Sequence, residues 1–262
     1  MTYQCIIFGI DGGIARLTFN RPDRLNSFNT AMHAEVRAAL AEVRSSEARV
    51  LVLSGAGRGF CAGQDLNDRA VAPGGTAADL GESIEKNYKP LVLALRSLPL
   101  PVIAAVNGVA AGAGANIALA CDLVVAARSA SFVQAFSRLG LVPDSGGTWF
   151  LPRLVGTARA LGLAFLGEKL SAEQAAAWGL IWRCVEDAEL PAAVESLAQG
   201  FAAAPTRGIA RTKQAIYESW GRTLSEQLDV ERDYQGELGR TADYAEGIAA
   251  FAAKRTPHFS GR

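Results

Sequence analysis

Histidine is nearly absent from this 262-residue chain, which has only His33 and His258. His33 falls in an apolar-periodic segment and His258 in the basic tail Lys254–Arg262. Neither adjoins a candidate nucleophile, so a histidine general base has no support. Cysteine is scarce as well. Cys5, Cys61, Cys121 and Cys184 are scattered, with no C-x-x-C pair and no nearby histidine. That spacing argues against a disulfide framework or a zinc site and predicts buried free thiols in a reducing cytoplasm. The N-terminal MTYQCIIFGIDGG lacks a basic region followed by a long apolar one, so no signal peptide is expected. An excess of either charge is missing too: Lys+Arg and Asp+Glu both total 26. No global field draws the chain to nucleic acid or a membrane surface, and an anionic ligand must be held by local charge. The one long apolar run, Val102–Cys121, is broken by three glycines, Asn107 and Asn116, which reads as a buried strand–turn–helix and not a membrane span. No G-x-S-x-G elbow and no Walker A sequence occurs, which removes support for a serine hydrolase or a P-loop enzyme.

What the chain does have is two small-residue turns, each directly after an apolar run. Val50–Ser54 leads into Gly55-Ala-Gly-Arg-Gly-Phe-Cys-Ala-Gly-Gln-Asp-Leu66, and Val102–Val106 leads into Asn107-Gly-Val-Ala-Ala-Gly-Ala-Gly-Ala-Asn116. Small residues let bare backbone N–H groups face a cavity, and one such donor from each turn would bind a carbonyl oxygen as it becomes negative. In the second turn Gly112, Ala113 and Gly114 lie where a helix should begin, so the positive end of its dipole adds to the effect. Close strand–helix packing explains the same small residues equally well. Gly57-Arg-Gly-Phe-Cys-Ala62 fits a loose dinucleotide fingerprint, but the chain then runs into loop chemistry instead of a helix, so a nicotinamide site is not expected.

Periodicity supplies the organisation. Short β-rich runs at Cys5–Phe8 and Ile14–Phe19 flank Asp11-Gly12-Gly13, a hairpin signal. Apolar residues at Phe28, Met32, Val36, Leu40 and Val43 predict a helix capped near Ser27 or Asn29. Residues 70–80 read as a mobile surface loop, and Ser83–Leu98 as a helix ended by prolines. Leu123–Ala127 and Ser131–Val133 read as strands. Beyond about 155, helical patterns dominate: 157–166, 172–178, 189–203, 206–220, 223–238 and 241–254. The order predicts an α/β fold with a helical C-terminal part. Those last helices are rich in apolar residues, including Ile216, Trp220, Leu224, Leu228, Ile248 and Phe251, which fits either a subunit interface or packing on the chain's own core.

Asp144 is the notable acid. Leu141-Val-Pro precedes it and Ser145-Gly-Gly follows. Apolar neighbours would desolvate its carboxylate and suit it to shuttling a proton. The competing reading is a helix N-cap, since Asp-Ser-Gly-Gly-Thr-Trp can open a helix.

Together these motifs resemble the crotonase superfamily, the enoyl-CoA hydratase/isomerase family. The resemblance spans Asn20–Asn26, Gly59–Leu66, Val106–Gly114, Pro143–Thr148 and Phe251–Phe259. It implies a spiral of ββα units over 1–195, a helical trimerisation region over 196–262, and assembly as a trimer or dimer of trimers. It implies an acyl-CoA thioester as ligand and carrier, with no metal or redox cofactor. Position by position, it makes the N–H groups of Gln64 and Ala113 the oxyanion donors, Ala standing at 113 where glycine is more usual. It puts Arg24, Leu25 and the backbone from Ala62 through Gly63 and Asp65 to Leu66 along the nucleotide, and Phe251 and Lys254 near a neighbouring subunit's nucleotide. Gly112, Asn116 and Phe136 would line the pocket. Two glutamates that hold water in hydratases of this family are replaced here by Asn116 and Phe136, so hydration is not expected, and Asp144 remains as the single acid. Ala62–Arg69, Leu141–Trp149 and Val230–Gln235 are similar to the members of aerobic phenylacetate breakdown that convert a ring epoxide to an oxepin. That likeness implies phenylacetate-pathway enzymes as partners. A Δ3,Δ2-enoyl-CoA isomerase, a 4-halobenzoyl-CoA dehalogenase and a non-catalytic acyl-CoA-binding scaffold are the other readings.

Overall fold

In the computed structural model, residues 3–69 and 79–262 are described. The hairpin signal becomes β1 (Ile6–Asp11) and β2 (Ile14–Phe19), antiparallel with Asp11 opposite Ile14. Next comes α1 (Thr30–Ser45), whose cap is Asn29: its side chain accepts from the Met32 N–H at 2.9 Å. The helix buries Met32, Val36, Leu40 and Val43, the face its periodicity predicts.

Three strand–strand–helix units follow. The first is β3 (Val50–Gly55), β4 (Gly59–Cys61) and a helical run made of α2 (Leu80–Ser83), a π turn (Ile84–Tyr88) and α3 (Lys89–Ser97). The second is β5 (Val102–Val106), β6 (Val109–Ala111) and α4 (Ala113–Ala120). The third is β7 (Leu123–Ala127), β8 (Ser131–Val133) and α5 (Gly147–Leu166), which Gly156 interrupts with non-helical backbone. Then come β9 (Lys169–Ser171), α6 (Ala172–Ala177), β10 (Arg183–Val185) and α7 (Leu190–Ala203). The first strand of each unit joins a six-stranded sheet ordered β1-β2-β3-β5-β7-β10, parallel except for the hairpin. The second strand joins a four-stranded sheet ordered β4-β6-β8-β9. This is the ββα spiral. The small residues of 55–66 and 107–116 predict turns, yet each segment holds a three-residue strand. Strands this short and this rich in Gly and Ala carry no period to detect.

The chain ends in α8 (Thr206–Glu218), α9 (Leu224–Leu238) and α10 (Ala242–Ala253). The expected boundary at 195 needs correction. It falls inside α7, which packs on β2, β3, β5 and β7, so the sheet-covering core runs through Ala203. The expected loop at 70–80 lies outside the described residues except for Asp79, which caps α2, and Leu80. Among the described residues no helix is long and apolar enough to cross a membrane.

A buried ionic cluster joins α8 to the core. Lys213 Nζ lies 2.8 Å from Asp122 Oδ2 and donates to the carbonyls of Leu95 and Leu100 at 3.1 and 3.2 Å. Asp122 Oδ2 also accepts from the Val102 N–H at 2.7 Å, and its other oxygen accepts from the Tyr217 hydroxyl. The Arg96 guanidinium stacks 3.0 Å over the Tyr217 ring. Burial pushes the Lys213 ammonium toward its neutral form, and the Asp122 carboxylate opposes that. Removing one partner leaves the other charged and dry. Asp122→Ala is therefore expected to cost about 3–5 kcal/mol, read as a lowered urea midpoint, and Asp122→Ala combined with Lys213→Met should recover much of the loss.

Candidate active site

β4 and β6 are adjacent parallel strands, so the two glycine turns run side by side. The approach is close enough to exclude side chains. A methyl group on Gly114 would lie 2.2 Å from the Cys61 carbonyl oxygen. On Gly63 it would lie 2.8 Å from Ala111 O and 3.2 Å from the Ala113 nitrogen, and Gly63 has φ +87°. Both features demand glycine.

The main-chain amides of the first turn can be accounted for one by one. Ala62 N–H donates to Leu25 O at 2.9 Å, and Gly63 N–H to Cys61 Sγ at 3.4 Å. Asp65 N–H donates to Phe28 O at 2.9 Å, while Phe28 N–H donates to Gly63 O at 2.7 Å. This is a parallel bridge between Phe28 and Gln64, and such a bridge bonds only the neighbours of Gln64. The Gln64 N–H is thus the amide from Ala62 to Asp65 that meets no acceptor among the described residues. In the second turn Gly112 N–H is engaged by Val133 O at 2.8 Å, so Gly112 supplies a bend (φ +53°) and no free donor. Ala113 opens α4 with an N–H that no described residue accepts, at the positive end of the helix. Its φ stays negative, so a methyl group is tolerated there.

Asn116 lies one turn further along α4 and is fully buried. Its Nδ2 donates to the Asp144 carbonyl at 2.8 Å, and its Oδ1 accepts from Gln134 Nε2 at 2.8 Å. Expected as pocket lining, Asn116 instead braces the loop that carries Asp144. Gln134 had no sequence signal, because a buried amide pair has no period. Asp144 is half-buried, and Oδ1 accepts from the Ser145 hydroxyl at 2.9 Å. The helix-cap reading fails: the cap of α5 is Gly146, without a side-chain bond. Ser145 holds φ +50° in this turn, a strained setting for a residue with a side chain. The Phe136 ring is buried and lies 3.7 Å from the point where a Gly112 methyl group would sit, so it covers the start of α4 with apolar surface.

The other expected residues are less concentrated. Arg24 is exposed, and Leu25 (φ +47°) holds the first turn through its carbonyl. Leu66 is exposed. At Asp65 only the backbone is expected along the nucleotide, and its side chain is held by protein: the buried carboxylate pairs with Arg21 at 2.9 Å and accepts from the Asn67 N–H at 3.1 Å. Burial raises that carboxyl, but Arg21 and the Asn67 amide outweigh it and hold it below the usual range. Phe251 and Lys254 are exposed at the end of α10 and, among the described residues, make no hydrogen bond, ion pair or ring contact with the two turns. A separate cavity of about 870 Å³, lined by Arg96, Trp149, Phe150 and Tyr217, touches the Asp144 turn only at Gly146. It does not hold Gln64, Ala113 or Asp144, and the backbone geometry, not cavity size, marks the site.

The two turns thus abut at the start of α4, which Phe136 covers and which ties the Asp144 turn through Asn116. The comparisons with known proteins give the family. The family model for enoyl-CoA hydratase/isomerase matches residues 9–262, and the chain belongs to that family. It is 58% identical over 260 residues to the 1,2-epoxyphenylacetyl-CoA isomerase of Escherichia coli (strain K12), covering 99% of each chain. It is 49% identical over 262 residues, the whole of both chains, to a protein of Rhodobacter capsulatus named probable enoyl-CoA hydratase. Among solved structures, the enoyl-CoA hydratase of Bacillus anthracis superposes with a TM-score of 0.91 at 32% identity, over 99% of this chain and all of that one.

The brace generates a direct expectation. Asn116→Ala strips the buried Gln134 amide of its acceptor and is expected to destabilise the fold by about 1–3 kcal/mol. Hydrogen exchange at the Gly147 amide, which donates to the same Asp144 carbonyl, should quicken with it. Unchanged exchange there would show that the Asp144 turn is held by other contacts.

Proposed function

We propose that the chain isomerises the ring 1,2-epoxide of phenylacetyl-CoA to the oxepin thioester, as a step in aerobic phenylacetate breakdown. One observation carries the reading. Gln64 and Ala113 offer free amides on abutting turns, and Asn116 ties the Asp144 turn one helical turn away. The 58% identity to a protein named 1,2-epoxyphenylacetyl-CoA isomerase supports the substrate.

The thioester oxygen takes hydrogen bonds from the Gln64 and Ala113 N–H groups. The Asp144 carboxylate removes a proton from the CH₂ beside the carbonyl, and the electron pair moves into an enolate. Each donor is worth about 3 kcal/mol to that anion. Charge spreads through the conjugated system as the epoxide's ring carbon–carbon bond opens into the seven-membered ring. Asp144 then returns its proton at a remote carbon, so substrate and product have the same composition. The chemistry uses one base and a water-poor wall, which Phe136 provides, and calls on no metal or redox group.

Arg24, Leu25 and the backbone of 62–66 lie along the coenzyme A nucleotide in this reading. Exposed apolar side chains on α9 and α10, with Trp220 just before them, support burial between subunits of a trimer or dimer of trimers, which would bring Phe251 and Lys254 to a neighbour's nucleotide. Absence of a second acid argues against hydration: Asn116 is buried with both ends bonded, and Phe136 carries no acid. The same apparatus suits a Δ3,Δ2-enoyl-CoA isomerase, and substrate choice separates the two.

The test is incubation with enzymatically generated epoxide thioester, reading product by a chromatographic shift at unchanged mass. Asp144→Asn is expected to lower kcat by about 10²–10⁴-fold while acyl-CoA binding persists. Turnover of a β,γ-enoyl-CoA but not the epoxide would move the assignment to the aliphatic isomerase. Unchanged kcat in the variant would remove Asp144 from the mechanism.

A further inference from the structure

The side chain of Gln64 is not idle. Its Oε1 accepts from the Tyr88 hydroxyl at 2.8 Å, and its Nε2 donates to the Asp65 carbonyl at 3.2 Å. Both ends of the amide are therefore occupied by protein. Tyr88 is fully buried and packed edge-on against His33 at 4.5 Å and tilted against Phe28 at 6.2 Å. Phe28 is the residue whose main chain brackets Gln64 from the other side. Gln64 is thus held by Phe28 through its backbone neighbours and by Tyr88 through its side chain.

The placement of Tyr88 depends on an irregularity. Lys89 N–H donates to Ile84 O, five residues back, which closes a π turn between α2 and α3. A π turn takes one residue more than an α turn, so the helix beyond it is offset by about 100° about its axis. Arg37 fixes the outer side of this turn, donating to the Lys86 carbonyl at 2.8 Å. Tyr88 is the last residue of this turn, and its hydroxyl reaches Gln64.

We infer that Tyr88 is a positioning residue, which acts through the Gln64 side chain to fix the direction of the Gln64 N–H toward the thioester oxygen. The inference rests on the oxyanion role proposed for that amide. Preorganised donors stabilise charge only when aimed in advance. A Gln64 peptide free to rock about its φ and ψ would lose part of that stabilisation without losing affinity for ground-state substrate.

Tyr88→Phe removes one oxygen from a buried ring. The expected result is a kcat lower by about tenfold with KM changed less than twofold. A second readout is acetoacetyl-CoA, whose enolate absorbs in the near ultraviolet: the enolised fraction of bound probe should fall in the variant. In a Gln64→Met background, Tyr88→Phe should cause no further loss. Unchanged kcat and probe spectrum in Tyr88→Phe, a loss confined to KM, or a further full loss in the double variant would each overturn the inference. If Tyr88→Phe fails to fold, Gln64→Met breaks the same bond from the other side, with the same expected kcat loss and the same overturning result of no change. A wild-type enzyme that enolises the probe while the variants match it defeats the role of Tyr88 alone. A wild-type enzyme that binds the probe without enolising it defeats the reading of the Gln64 amide, and this inference with it.

Discussion

The site depends on the close approach of two main-chain segments. β4 and β6 are neighbours, and their following turns can abut only because positions 63 and 114 have no side chain. The parallel bridge at Phe28 occupies the carbonyl of Gly63 and the amide of Asp65 on either side of Gln64 and leaves the Gln64 N–H turned the other way. The start of α4 does the same for Ala113, by the rule that the first turn of a helix has no internal acceptors. Both donors follow from backbone geometry that a few glycines permit, so their direction depends on what is packed and bonded around them.

The acid half is held by different means. Asp144 sits in a turn with a left-handed serine at its side, a conformation that needs outside support. Asn116 supplies it from within α4, and Gln134 in turn fixes Asn116. The same helix therefore presents the Ala113 N–H at its first residue and anchors the Asp144 turn one turn later, so the spacing of the two is set by a rigid element. An asparagine in this place also removes an ionisable group from the site. Phe136 covers Gly112 with an apolar ring, while the Asn116 brace holds the Asp144 turn against the same helix.

Much of this was legible in the sequence. Apolar runs followed by small residues marked both turns, and α1, β7 and β8 matched their periodic signals within a residue or two. What was not legible were features without a period. The strands β4 and β6 are three residues long and read as turns. The pairing of Asn116 with Gln134 and Asp144 joins residues distant in the chain by side-chain amides, which leave no pattern. The π turn at 84–88 is invisible because an inserted residue only shifts a helical pattern that otherwise continues. The tie of the Asp65 carboxylate to Arg21 is illegible as well, since nothing local in sequence reports that partner.

The C-terminal helices pose a separate physical problem. α8 is fastened to the core by charge in a dry setting, with Lys213, Asp122, Tyr217 and Arg96 satisfying one another. α9 and α10 instead leave Leu224, Leu228, Ile248 and Phe251 in solvent. A buried ion pair is weak as a source of net stability but strict about geometry, since misplacing either partner strands a charge. Apolar faces are strong but indifferent to orientation. Combining them gives a hinge-side joint that fixes where α8 leaves the core and outer faces that gain stability only against another surface. The tail carrying Phe251 and Lys254 follows directly on these exposed faces, so its surroundings change with whatever surface covers α9 and α10.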